Sequence, residues 1–161
     1  MDGAVVTGGE PTLNPGVFRF VERLREWGFA IKLDTNGSQP RVLEQLLPQV
    51  DYVAMDVKFA PTDYPARAGF GDIGALTESI RLIREKAADY EFRTTVIEAW
   101  HHADQMQAIG EWVKGARRHV VQAFVPRFDL PDPACRSMPE TRSEVLQASA
   151  EVLRRYVAQV E

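Results

Sequence analysis

An α/β domain built on a parallel sheet follows from three features of this chain. Short β-branched or aromatic runs alternate along it with longer segments of helical period. No composition break or low-complexity stretch divides it, and 161 residues is close to the usual size of one domain. Its 45% hydrophobic and 26% charged content is that of an ordinary globular protein and excludes disorder as the main description. The expectation is a single domain over residues 1–161, with about five parallel strands and helices outside them, residues 127–161 forming a C-terminal extension and helix.

The first strand is Gly3 to Thr7, running into Gly8-Gly9-Glu10-Pro11, after which Asn14 caps a helix whose first residue is Pro15. Val17, Val21 and Leu24 give that helix its buried stripe, and Gly28 stops it. Phe29 to Leu33 is a second strand ending in Asp34-Thr35-Asn36-Gly37, followed by a short helix with Leu43, Leu46 and Leu47 inward. Asp51 to Lys58 is the third strand, with Asp56 and Lys58 on one face by the two-residue period. Residues 59–74, rich in Pro and Gly, read as a loop before a helix marked by Leu76, Ile80, Ile83 and Ala87. Tyr90 to Ile97 is the fourth strand, Asp104 to Lys114 a helix with Met106, Ile109 and Val113 inward, and His119 to Val125 the fifth strand. A Pro-rich surface segment over 127–140 leads to a last helix, which Thr141 and Glu144 open as a capping box and along which Val145, Ser149, Val152, Tyr156 and Val160 form one side.

Charge and cysteine content narrow the function classes. Nineteen Lys and Arg against 23 Asp and Glu give a net charge of −4, which offers no footprint for a polyanion and argues against nucleic acid as a partner. No stretch reaches the roughly 18 uncharged apolar residues that a bilayer span needs, and Met1-Asp2-Gly3 lacks a basic secretory start. A soluble, intracellular, cytoplasmic protein with no membrane partner is expected. The single cysteine, Cys135, excludes an internal disulfide and any zinc or iron-sulfur site built from several thiolates of this chain.

In parallel α/β folds ligands bind beyond the carboxyl ends of the strands, and polar residues gather there in this chain. Gly8-Gly9-Glu10-Pro11, Asp34-Thr35-Asn36, Asp56 with Lys58, Arg93 and Gln122 belong to five successive strands and share one rim. Paired glycines let the backbone approach a ligand and expose carbonyls to an amine, while proline fixes the turn. Asp34 and Asp56 make a negative pocket for an ammonium or a hard cation, Thr35 adds an acceptor oxygen, and Lys58 adds one positive charge. Such a rim suits a small zwitterion better than a bare phosphate. Each piece also has a plain reading, as a turn at Gly8-Gly9, a turn at Asp34 to Gly37, and a solvated charge pair at Asp56 and Lys58.

Taken in order and spacing, Thr7-Gly8-Gly9-Glu10-Pro11-Thr12, Leu33-Asp34-Thr35-Asn36-Gly37 and Met55-Asp56-Val57-Lys58 resemble the radical S-adenosylmethionine superfamily. Within it the chain is similar to the activating enzymes of glycyl-radical proteins, the anaerobic ribonucleoside-triphosphate reductase and pyruvate formate-lyase activases among them. Tyr90 to Val96 is similar to the former, and the resemblance covers nearly all of residues 3–126. It implies a partial β/α barrel that binds S-adenosylmethionine across the strand ends, with Gly8, Gly9, Glu10 and Pro11 at the amino group of its methionine part. It further implies a monovalent cation held by Asp34, Thr35 and Asp56, a lysine role for Lys58, and rim positions for Asn36, Arg93 and Gln122. Its partners would be a glycyl-radical enzyme and an electron donor.

That family's chemistry uses a four-iron four-sulfur cluster on a Cys-x-x-x-Cys-x-x-Cys loop after the first barrel strand, from which S-adenosylmethionine is split to a 5′-deoxyadenosyl radical that takes hydrogen from a partner glycine. No such loop occurs here, so the chain corresponds to an incomplete barrel beginning at the family's second strand, and Cys135 lies far from the motif's place. The expectations are a catalytically silent chain, an exposed edge at residues 3–7, and a Met1 internal to a longer reading frame or left by truncation. Two other classes remain open: a module that binds S-adenosylmethionine without redox chemistry, and a barrel enzyme using Lys58 as a Schiff base with Asp56 or Glu10 handling protons. His101, His102 and Asp104 read as surface polarity, and Trp27, Trp100 and Trp112 as packing residues.

Overall fold

The computed structural model describes residues 2–130 and 132–161. Among them six strands form one sheet, β1 (Gly3–Val6), β2 (Ala30–Thr35), β3 (Tyr52–Asp56), β4 (Tyr90–Val96), β5 (Arg118–Ala123) and β6 (Gln159–Val160). All neighbours are parallel and stand in chain order from β1 to β6. The helices are α1 (Val17–Glu26), α2 (Pro40–Leu46), α3 (Tyr64–Arg67), α4 (Ile73–Lys86), α5 (Ala103–Trp112) and α6 (Ser143–Leu153). Parallel strands joined in sequence by right-handed crossovers put their connecting helices on one face and wind the sheet as part of a barrel.

Burial follows that winding. Along β2 the side chains alternate, with Ile31, Leu33 and Thr35 buried and Lys32 and Asp34 partly open. Along β4, Tyr90, Phe92, Thr94 and Val96 are buried while Glu91, Arg93 and Thr95 face the other way. A parallel sheet covered on both faces reads as apolar on both; here only the helix side does. Val17, Val21 and Leu24 of α1, Leu43 and Leu46 of α2, Leu76, Ile80 and Ile83 of α4, Met106 and Ile109 of α5 and Leu153 of α6 complete the core on that side.

Several local expectations change. A sixth strand, Gln159–Val160, adds to β5, so Val160 belongs to the sheet and α6 ends at Leu153. Two residues are too short to carry a periodic signal. Thr141 does not cap α6: its hydroxyl donates to Val96 O at 2.5 Å and accepts from Phe124 N–H at 3.1 Å, tying the chain to the ends of β4 and β5. Asn14 caps no helix at Pro15; its Oδ1 accepts from Gly16 N–H at 2.8 Å in a local turn, and α1 starts at Val17. The 59–74 segment holds the short α3, because Tyr64 finds a buried site beneath the end of β3. Trp27 is 62% exposed at the end of α1, one turn beyond the last inward position, with the Arg23 guanidinium 5.5 Å from its ring. In the Pro-rich segment, Pro133–Ser137 forms a 3-10 turn around Cys135, while Pro131, like Met1, lies outside the described residues.

Two buried side chains hold the backbone just past β3. Thr94 Oγ1 donates to Val57 O at 2.6 Å, so its oxygen accepts from His119 Nε2, 3.0 Å away. That leaves the buried His119 Nδ1 unprotonated and, among the described residues, without a partner. Burial pushes the His119 imidazole down to about 4, since a proton on Nδ1 would have no acceptor. The unfolded chain takes up that proton near pH 6.5, so between there and about pH 4 stability falls with pH, by about 3 kcal/mol in total at this one site. Urea unfolding across this range checks it: the wild type loses stability on acidification and a His119→Leu variant, without the titrating group, shows a shallower loss.

Candidate functional site at the open rim of the sheet

The turn after β1 sets one side of the rim. Gly8 and Gly9 adopt φ of 95° and 54°, a left-handed path that residues with a Cβ rarely follow, with open space in front of both. Glu10 then fastens the turn to the end of β2. Its Oε1 accepts from Thr12 N–H at 3.1 Å, Thr12 Oγ1 at 2.5 Å and Thr35 Oγ1 at 2.8 Å, and its Oε2 from Asn36 N–H at 2.5 Å. Pro11, buried, opens the 3-10 turn that follows. The Glu10 carboxylate thus works as a latch between β1 and β2, with its lone pairs committed to neighbours in the chain.

The open face of the sheet carries the charges. Arg93 on β4 reaches Asp56 Oδ1 through Nε at 3.0 Å and Nη2 at 2.9 Å, and stands 3.5 Å from Asp34 Oδ2 through Nη1. Burial works against the guanidinium charge, but Asp56 and Asp34 outweigh it and hold Arg93 above its ordinary value. On the side away from the rim, Lys32 Nζ lies 3.7 Å from Asp34 Oδ1 and 3.5 Å from Glu91 Oε1, and 5.6 Å from the centre of the Tyr52 ring. The Tyr52 hydroxyl donates to Glu91 Oε2 and accepts from Arg118 Nη1, both at 2.8 Å. Burial and the Glu91 contact raise the Tyr52 phenol, with Arg118 opposing them. A row of alternating charge therefore crosses β2 to β5.

The structure brings Asp34, Asp56 and Arg93 together and sorts the remaining rim residues. Strand alternation turns Thr35 to the helix side, where its hydroxyl donates to Glu10 and accepts from Gly37 N–H at 3.1 Å. The side chains expected around one cation, Asp34, Thr35 and Asp56, do not converge, and a guanidinium already lies between the two carboxylates. Asn36 Oδ1 accepts from Ser38 N–H at 2.9 Å and shapes the loop after β2. Gln122 is exposed on β5 opposite Thr95, one strand beyond Arg93. Lys58 stands between a pocket of about 140 Å³ shared with Asp56, Arg93 and Thr95 and one of about 180 Å³ shared with Asn36, Ser38 and Phe70. His101 does not lie at the surface: it is 3% exposed and stacks on Phe59 with 5.3 Å between ring centres. Lys32, Tyr52, Glu91 and Arg118 were not anticipated. Their signal was a polar side chain at every second position of the strands, whereas attention to strand ends alone passes over them.

Two cofactors implied by the sequence resemblance fare differently against these residues. A zwitterionic amino-acid group fits: the glycine turn is open, and the half-exposed Asp56 carboxylate shares a pocket with Lys58 at the end of β3. An iron-sulfur cluster does not fit. The chain has one cysteine, Cys135, whose thiol is raised by burial and by Asp132, and no group of three or more His, Cys, Asp or Glu among the described residues could hold a metal. Breaking the Glu10 latch tests the frame of the site. Glu10→Gln sets an amide donor against at least one of four donors and is expected to cost about 2 kcal/mol in urea unfolding.

No family model matches the chain. It is 29% identical to a protein of Methanocaldococcus jannaschii provisionally named a glycyl-radical enzyme activating enzyme, over 99% of this chain and 69% of that one. It is 31% identical to 7-carboxy-7-deazaguanine synthase of Thermococcus kodakarensis, over 74% of this chain and 47% of the relative, so it spans less than half of that protein. A solved domain of the pyruvate-formate lyase-activating enzyme from Bacteroides vulgatus superposes with a TM-score of 0.74 at 17% identity, covering 99% of each chain. Along nearly its whole length the chain is thus similar to a protein named as a glycyl-radical enzyme activating enzyme, and its open sheet of parallel strands has the fold of the solved pyruvate-formate lyase-activating enzyme domain.

Proposed function

We propose that these residues form the S-adenosylmethionine-binding part of an activating enzyme for a glycyl-radical protein, of the anaerobic ribonucleotide reductase activase kind. The observation that carries the reading is the set of strand ends itself: an open left-handed glycine turn after β1, and Asp56 and Lys58 lining one pocket after β3. The Gly8 to Pro11 turn and Asp34 receive the ammonium of the methionine moiety, and Lys58 its carboxylate. Arg93 lies between Asp34 and Asp56 and offsets their repulsion, and Glu10 fastens the turn to the end of β2. The thiolates of a cluster are not among these 161 residues, so the chain by itself binds the cofactor without cleaving it. A glycyl-radical enzyme and an electron donor are the partners this reading entails.

Calorimetry with S-adenosylmethionine tests the binding half. The wild-type chain is expected to bind, and Asp34→Asn and Lys58→Met each to weaken binding by about tenfold, the worth of one charge-assisted hydrogen bond. A folded chain that takes up no ligand would reject the proposal. Anaerobic incubation with iron, sulfide and dithionite tests the other half: no 5′-deoxyadenosine is expected from this chain alone, and its appearance would overturn the claim that the chain binds the cofactor without cleaving it.

A further inference from the structure

Beyond Asp56 the sheet ladder ends, yet the next residues are held at their backbone groups one by one. The Tyr64 hydroxyl donates to Asp56 O at 3.4 Å and accepts from Lys58 N–H at 2.8 Å. Val57 N–H donates to Arg93 O at 2.8 Å, and Val57 O accepts from Thr94. Lys58 O lies 2.8 Å from His101 Nε2, and His101 Nδ1 accepts from Ile97 N–H at 3.0 Å. An acceptor at Nδ1 requires the proton on Nε2, so the neutral ring donates to Lys58 O and bridges the ends of β3 and β4. Burial lowers the His101 imidazole below its ordinary value, its two backbone contacts notwithstanding.

We propose that His101 is a positioning residue for the cofactor site, fixing the backbone from which Lys58 reaches the carboxylate of S-adenosylmethionine. The inference rests on the reading of the rim given above. Lys58 has a long, flexible side chain, and the precision with which its ammonium meets a ligand is set by the residue's anchored backbone. Three anchors come from Tyr64, Thr94 and the β4 ladder; among the described residues, His101 alone holds Lys58 O. A side chain at this dry position must accept on one side and donate on the other. A glutamine amide can do both, and a leucine leaves Ile97 N–H and Lys58 O unsatisfied.

Acid distinguishes this role from mere packing. Protonating His101 puts an N–H at Nδ1, which displaces the Ile97 N–H and turns that side of the ring to Ile97 O, 3.3 Å away, so the bridge in its neutral form is lost. The charges of Arg67 of α3 and the neighbouring His102 oppose a proton on the ring, while Glu98 after β4 and Arg142 and Glu144 near the start of α6 border the groove on its outer side.

The experiment is calorimetry with S-adenosylmethionine on wild type, His101→Gln and His101→Leu between about pH 7.5 and pH 5, with hydrogen exchange of residues 57–60 measured alongside. Expected are binding about tenfold weaker in His101→Leu, with faster exchange in that segment, and recovery to within about twofold in His101→Gln. Wild-type affinity should decline on acidification while that of His101→Gln stays flat. Undiminished binding in His101→Leu, or the same acid profile in wild type and His101→Gln, overturns the inference and leaves the cofactor reading standing. Should His101→Leu fail to fold, the pH comparison decides alone. Absence of binding by the folded wild type overturns the cofactor reading and this inference with it.

Discussion

The Arg93 guanidinium between Asp34 and Asp56 is the contact on which the open face of this sheet depends. Two carboxylates projecting from neighbouring strands into a partly buried surface repel each other and lose hydration. Arg93, from the next strand, meets one with a forked contact and the other across 3.5 Å. Its planar, permanently charged head can serve two acceptors at once, which a lysine ammonium on a flexible stem does less well. With that charge in place, β2, β3 and β4 can present acids toward solvent without being forced apart, and Lys32, Glu91, Tyr52 and Arg118 extend the alternation down the sheet.

Sheet order and side-chain chemistry support one another. Strands that follow one another in the chain keep the helices on a single face, so the opposite face is free to hold polar groups that a doubly covered sheet would have to exclude. Every strand delivers its carboxyl end to the same rim, and the loops there are fastened from beneath: Glu10 latches the β1 turn to β2, while Tyr64, Thr94 and His101 fasten the backbone beyond β3. Tyr64, Thr94 and His101 are neutral groups in dry surroundings, and the partly buried Glu10 carboxylate is held by four hydrogen bonds. The exposed ones, Gly8, Gly9 and Lys58, are left free to meet a ligand. Rigid support under a reactive surface is what a binding site for a small charged molecule requires.

Much of this was legible in the residues. β-branched runs and helical stripes located β1 to β5 and the four principal crossover helices within a few positions, because a buried face imposes its period on the sequence. What misled was local chemistry with two outlets. Thr141 had the spacing of a helix cap, but two strand ends offered its hydroxyl partners it could not reach in an isolated helix. His101 stood beside another histidine in a polar stretch, and only the packing of Phe59 against it made the position dry. β6 was too short to announce itself.

The residues by themselves determined the α/β class, the gathering of glycines and charges at strand ends, and the shortage of thiolates, since each is a property of composition or period. Tertiary structure alone decided which of those charges meet. Whether Asp34 faces Thr35's partners or Arg93 depends on the side of the strand it occupies and on the register of the strands beside it. Register is fixed by packing across the whole sheet, and no short motif contains it.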